Sequence, residues 1–145
     1  MANLIFTLCC ERPIVDSQTN LLSLIGVIEE IGLSGPQPVF GGIMHIVTLW
    51  ERSNLLDTKP EKYEFTLKLQ APSGQIVNQV GPMNGVIEGR RHRGFIALQA
   101  IPFPEQGRYH WVIETTENGQ TRVAAMIPLD VAHLPMPAQY SGKPS

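Results

Sequence analysis

Four histidines are the side chains of this sequence best suited to hold a metal ion or to move a proton. They stand at positions 45, 92, 110 and 133, and none has the spacing from a cysteine, a carboxylate or another histidine that a zinc site needs. His45 and His110 fall on predicted strands that could be neighbours, which would make a cross-strand pair, but no third ligand can be identified. We therefore predict no metal site and expect no cofactor, and a small hydrolase or metal-dependent enzyme is kept as an alternative.

Two further groups carry reactive atoms. Cys9 and Cys10 are adjacent, and neighbouring side chains of a strand point to opposite faces, so the pair is badly placed to bridge two sheets or to chelate one metal. We expect small apolar residues, one of them facing the core, in a protein of the reducing cytoplasm. The same alternation separates the carboxylates of Glu29 and Glu30, which argues against general acid–base chemistry there.

The most distinctive charged run is Arg90-Arg91-His92-Arg93. Four basic residues in a chain of net charge −2 are too few to predict nucleic-acid binding, because non-specific affinity scales with the number of phosphates neutralised. We predict instead that Arg90, Arg91 and Arg93 contact an acidic surface of a protein partner. Two alternatives stay open: a nucleic-acid accessory protein that uses the same run, and a solvated turn whose charges keep a strand edge from pairing.

The elements that position these residues are predicted to be strands. The chain has 145 residues, of which 17% are charged, with 13 glycines and 12 prolines. This length suits one domain, and the balance of turn formers over charged residues favours a β-rich fold. The longest apolar stretch, 21–28, is interrupted by Ser23 and Gly26 and is too short to cross a bilayer, so we expect no membrane contact.

Alternation of apolar and polar residues locates several of the strands. It is clearest over 63–71, which Pro72-Ser73-Gly74 joins to a shorter strand, 75–80, in a predicted hairpin. Asn118-Gly119 between two β-type runs predicts a second hairpin with a type I′ turn. The stretches 43–50 and 95–101 are apolar on both faces and are predicted to lie in the interior, as are the rings of Trp50, Phe65, Phe95 and Trp111.

One segment, 17–31, has two interpretations. Asp16 or Ser17 could cap a helix that Gly32 ends, but a glycine at 26 and several β-branched residues favour a strand, which we predict. With it, about seven or eight strands form an all-β, single-domain antiparallel β-sandwich of immunoglobulin-like type over residues 1–133. The alternative is a closed barrel. Residues 134–145 are predicted to be a proline-rich extended tail.

Two details follow from the sandwich interpretation. Pro104 to Tyr109 resembles the tyrosine corner of such folds, in which the tyrosine hydroxyl bonds to upstream backbone, and Trp111 would fill the core nearby. If every strand reverses direction, the loops near 12–19, 54–61, 82–91 and 117–120 collect at a charged end, Arg12 included. Those near 33–42, 72–75 and 103–107 collect at a neutral end.

Four short motifs resemble a group of small uncharacterised bacterial β-rich proteins. They are Cys10-Glu11-Arg12, Leu22 to Val27, Gly107-Arg108-Tyr109 and Ile127 to Val131. The resemblance implies a bacterial origin and a compact β-rich fold. That group carries no established activity, so the resemblance assigns no catalytic residue here.

The function predicted from the sequence is a non-enzymatic binding or assembly module. Its expected partner is another protein or a second copy of the chain, and nucleic acid is not expected as a partner. The prediction rests on elimination and on fold class, since loops on a rigid sandwich commonly carry recognition.

Overall fold

The computed structural model describes residues 1–36 and 38–135. These residues form nine strands, one or two more than predicted, and no helix. The strands are β1 (Asn3–Val15), β2 (Leu22–Val27), β3 (Glu30–Ser34), β4 (Val39–Glu51), β5 (Glu61–Gln70), β6 (Ile76–Ile87), β7 (Arg91–Pro102), β8 (Gly107–Glu117) and β9 (Gln120–Leu134). Residues 136–145, most of the predicted tail, lie outside the described residues. In the described part of the chain, no helix is long and apolar enough to cross a membrane.

The strands form two sheets. One has the order β2-β1-β4-β7 and the other the order β3-β9-β8-β5-β6. All pairings are antiparallel except β3 with β9, which is parallel, so the prediction of a wholly antiparallel arrangement is wrong at this one place. The cause is a change of sheet after β2. Ile28 makes the last hydrogen bond of this segment to β1, and the chain then enters the second sheet as β3, beside β9 and in the same direction.

The core lies between the two sheets and is built from alternate residues of their strands. On β5, Tyr63, Phe65, Leu67 and Leu69 are buried and alternate with polar residues, as predicted. Trp50 and Trp111 are fully buried in the same cluster, which confirms the prediction for both rings. One sheet thus supplies Trp50 and the other supplies the β5 row, in an all-β sandwich-like fold compatible with a sandwich or a half-barrel.

Strand β7 is not an interior strand, and that prediction is wrong. It ends the order of the four-stranded sheet, and Phe95 is 43% exposed. Only Leu98 and Ile101 of its apolar residues are buried, because the inner row alone faces the other sheet. The apolar character of both faces of 95–101 therefore leaves an apolar outer row in contact with solvent.

Both predicted hairpins are confirmed. β5 pairs with β6, and β8 pairs with β9 around Asn118 and Gly119, whose φ angles of 51° and 76° are the positive values that a type I′ turn requires. Segment 17–31 contains strand from Leu22 onward and no helix, with a break between β2 and β3 where the chain changes sheet. Residues 17–21 are a turn and its flank, so the strand prediction is wrong for that part. The hydroxyl of Tyr109 donates to the carbonyl oxygen of Glu105 at 2.8 Å, so the predicted corner hydrogen bond is also confirmed.

The two ends of the molecule collect the loops largely as predicted. At the charged end, Arg52 contacts the carbonyl oxygens of both the 52–60 loop and the 87–89 turn. At the neutral end, Ser73 hydrogen bonds to Glu105, and Phe103 to Pro38. Two parts of the prediction are wrong. Residues 82–87 belong to β6 and not to a loop. β1 continues to Val15, and Arg12 lines a groove with Phe40 and Ile43 instead of joining the charged end.

Candidate functional site: a cationic edge on β7

The three arginines singled out from the sequence lie together at the start of β7. Arg90 is in the turn before the strand, and Arg91 and Arg93 are its first and third residues, so their side chains share one face. Phe95 continues the same row two residues later. The structure thus combines the predicted arginines with an exposed aromatic ring that the sequence predicts to be buried. This row, Arg91, Arg93 and Phe95, is called the β7 outer row below.

The arginines have little negative charge to neutralise them. Arg91 Nε lies 3.0 Å from Glu51 Oε2, and Arg90 Nε lies 3.7 Å from the same atom. Arg93 contacts neutral oxygens, with Nη2 donating to the carbonyl oxygen of Asn20 at 2.8 Å. Among the described residues these three guanidinium groups share one carboxylate, which leaves a surplus of about two positive charges.

A cleft borders the β7 outer row on the side of the β1–β2 hairpin. The Arg93–Asn20 hydrogen bond draws the tip of that hairpin toward β7. The cleft has a volume of about 720 Å³, and its lining is partly apolar and partly cationic: Val15, Asn20, Leu22, Leu49, Arg91, His92, Arg93 and Phe95. Its walls can accept an apolar group and an anion side by side.

The turn that presents Arg90 is fixed by a buried cation. Arg52 is only 4% exposed, and its side chain bonds to main chain alone. Nε donates to Gly89 O at 2.7 Å, and Nη1 and Nη2 donate to the carbonyl oxygens of Asp57, Lys59, Ile87 and Glu88. Five carbonyls thus match the five N–H donors of a guanidinium group. Because both loops are tied to one side chain, the arginine surface is preorganised.

The inner face of β7 joins the two sheets. The hydroxyl of Tyr63 lies 2.7 Å from Nδ1 of His92, and the Tyr63 ring stacks on Trp50 with centroids 4.5 Å apart. Burial raises the pKa of Tyr63 to about 12. The start of β7 is therefore anchored from inside while its outer row faces solvent.

The other chemistry-bearing residues do not form a site. His45 and His110 lie on β4 and β8, in different sheets, so the conceivable cross-strand pair is not formed. Nδ1 of His45 contacts Glu11 O, and Nε2 of His133 contacts Phe103 O. Within residues 1–36 and 38–135, no group of three or more histidine, cysteine, aspartate or glutamate side chains is placed to hold a metal ion.

The two cysteines are free and buried. Cys9 belongs to the core between the sheets, as predicted for one of the pair, and burial raises its pKa to about 12. Burial also raises the pKa of Cys10. Both thiols are thus held in the protonated form, which is the unreactive one.

Sequence reasoning missed three residues that shape the cationic edge. Asn20 closes the polar run 16–20 with a φ of 58°, a value that asparagine tolerates in turns, so the turn itself could have been predicted. Glu51 and Arg52 follow an apolar strand as an ordinary charged pair. Nothing in the sequence distinguishes the buried Arg52 from a solvated one, because three of its five acceptors come from a turn more than 30 residues away.

No protein-family model and no curated protein sequence matches this chain.

Proposed function

We propose that this protein is a non-enzymatic binding module that recognises an acidic surface of a protein partner through Arg90, Arg91 and Arg93. The observation that carries the proposal is the ratio of charges: three neighbouring arginines share the single carboxylate of Glu51 among the described residues. Exposed cations on a fixed scaffold give specificity and fast association more than raw affinity. The partner contact should therefore weaken as salt is added.

The fold proposed for the module is an immunoglobulin-like sandwich. Three features support that finer assignment: the partition of the strands into two sheets, the parallel entry of β3 beside the last strand, and the corner hydrogen bond of Tyr109. Such folds present recognition loops at the ends of rigid sheets. We place the module in the bacterial cytoplasm, a proposal supported by the resemblance given above and by its two free cysteines.

Co-purification tests the proposal directly. The tagged protein is recovered from its own cells at low salt, beside a variant with Arg90→Ser, Arg91→Ser and Arg93→Ser. The matched control removes three arginines from other strands, Arg12→Ser, Arg108→Ser and Arg122→Ser, so that both variants have the same net charge. We expect the first variant alone to lose the partner, with both variants folded by circular dichroism. Unchanged recovery with the first variant, or equal loss with both, would contradict the proposal.

A further inference from the structure

The backbone of β7 offers a pairing edge beside the arginines. β7 ends its sheet, so among the described residues no strand pairs with its outer side. An extended chain can add to such an edge through main-chain hydrogen bonds, while alternate side chains supply specificity. The three other terminal strands are less suited to this. β2 and β3 have only six and five residues, against 12 in β7. β6 also has 12 residues, but its pairing shifts register twice, whereas that of β7 shifts once, at the end of the strand away from the arginines.

The β7 outer row specifies what the added strand would carry. In an antiparallel pair, side chains directly opposite each other lie about 5 Å apart and interact. Acidic residues are therefore favoured opposite Arg91 and Arg93, and an apolar residue is favoured opposite Phe95. An added antiparallel strand meets Phe95 first, then Arg93 and then Arg91. From its N-terminus it therefore carries an apolar residue followed, at two-residue steps, by two acidic residues, with any residue type between them.

The cleft lies across the β7 outer row from the unpaired edge. One of its apolar residues, Leu49, belongs to β4 and pairs with Arg93. The chemistry of the added strand is therefore set by the β7 outer row itself, and the cleft takes no part in it.

A second copy of the chain does not supply such a strand from its own edges. β2 and β6 contain no acidic residue, and β3 contains only Glu30. No terminal strand of the described sheets therefore presents two carboxylates two positions apart. The occupant is a different polypeptide.

We propose that β7 binds an extended acidic segment of another protein as an added antiparallel strand, with an apolar residue followed at two-residue steps by two acidic residues. This inference rests on the proposed function and specifies the partner's chemistry. It also gives the exposed Phe95 a role, which charge recognition alone does not.

The experiment uses a fluorescein-labelled probe peptide, Gly-Thr-Val-Thr-Glu-Thr-Glu-Thr-Gly, and fluorescence anisotropy with the full-length protein. We expect the Arg93→Glu variant to bind this peptide at least about tenfold more weakly, since a cross-strand attraction becomes a repulsion. A peptide with lysine in place of its first glutamate, the one opposite Arg93, should bind Arg93→Glu better than it binds the parent protein. Arg122→Glu on β9 is the matched charge reversal and should change neither affinity.

Two further measurements separate strand addition from simple charge attraction. A probe N-methylated at alternate residues on its pairing side should bind at least about tenfold more weakly, since it cannot donate to the edge. Phe95→Thr, at an exposed position that does not threaten the fold, should weaken the valine-containing probe severalfold but not a probe with threonine in that position.

Each contrary outcome overturns the inference. Three results would do so: absence of probe binding, equal effects of Arg93→Glu and Arg122→Glu, or full affinity of the N-methylated probe. Each would favour the alternative in which the charges protect the β7 edge from pairing. If the probe fails while the triple serine variant still loses its cellular partner, the proposed function stands and only strand addition falls. If neither shows any dependence on these arginines, both fall.

Discussion

The hydroxyl of Tyr63 and Nδ1 of His92 are 2.7 Å apart, a contact that connects the two sheets at the base of the cationic edge. Tyr63 belongs to β5 of the five-stranded sheet and His92 to β7 of the other. The contact therefore holds the strand that carries the arginines against the core. Its strength depends on the protonation of the tyrosine.

Alkaline pH should weaken this connection. Burial raises the pKa of Tyr63 from 10.0 to about 12, so the folded protein holds this proton more tightly than the unfolded chain does. The resulting stability is fully present below about pH 10 and is lost as the pH rises toward about 12. In urea unfolding across that interval, Tyr63→Phe should lose less free energy of unfolding than the parent protein loses.

Cys9 serves as the internal comparison for that experiment. Its pKa is also raised to about 12, from 9.0, so it adds to the alkaline loss with the same sign but from a lower starting pH. Cys9→Ala should flatten the decline that begins near pH 9 and leave the later decline due to Tyr63. Identical pH slopes for the parent protein and both variants would show that neither group controls alkaline stability.

Replacement of Arg52 should loosen the charged end. Arg52→Met keeps most of the side-chain volume but leaves five carbonyl oxygens without their donor, which we expect to cost about 2–4 kcal/mol. Hydrogen exchange should rise around residues 52–60 and 87–91, while the neutral end stays protected. Arg122→Met on β9 is the control and should change the free energy of unfolding by less than about 0.5 kcal/mol.

The turn between β8 and β9 should not tolerate replacement of Gly119 by a residue with a side chain. Gly119 has a φ of 76°, so Gly119→Ala should destabilise the protein by about 1–2 kcal/mol because an L residue is strained there. Gly89 makes a matched control, since a Cβ there meets nothing within 4 Å and its φ lies outside the left-handed region. A thermal melt in which both alanine variants lose equal stability would show that the strain is not specific to the turn.

Trp111 and Phe95, which the sequence predicts to be buried alike, should differ strongly when each is replaced by alanine. Trp111 is fully buried, and Trp111→Ala should cost about 3–5 kcal/mol. Phe95 is 43% exposed, and Phe95→Ala should cost less than about 1 kcal/mol. Urea unfolding measures both changes, and a loss under about 1 kcal/mol for Trp111→Ala would mean that its ring is not part of the core.

Several strands and turns could be predicted from the sequence because the interactions that specify them lie within a few residues. The alternation of 63–71, the Asn118-Gly119 turn and the Tyr109 corner all act within a few residues, and each was found where expected. The position of a strand within its sheet is a property of the whole fold. Phe95 was therefore predicted to be buried, and its edge position became visible only in the strand order.

The candidate site was predictable only in part for the same reason. A cluster of arginines is visible in the sequence, but its surplus charge depends on Glu51, and its fixed geometry depends on Arg52. The contact between Arg93 and Asn20 joins residues 73 positions apart. Such contacts depend on how distant segments are brought together in the folded sheet, which no local pattern specifies.

The parallel pairing of β3 with β9 also constrains how the protein is made. β3 has no other strand neighbour among the described residues, and β9 is synthesised after all of the other described strands. A nascent chain therefore carries β3 unattached, and β8 with one open side, until β9 has been made. Any chain cut short before residue 120 exposes two aggregation-prone strands at once.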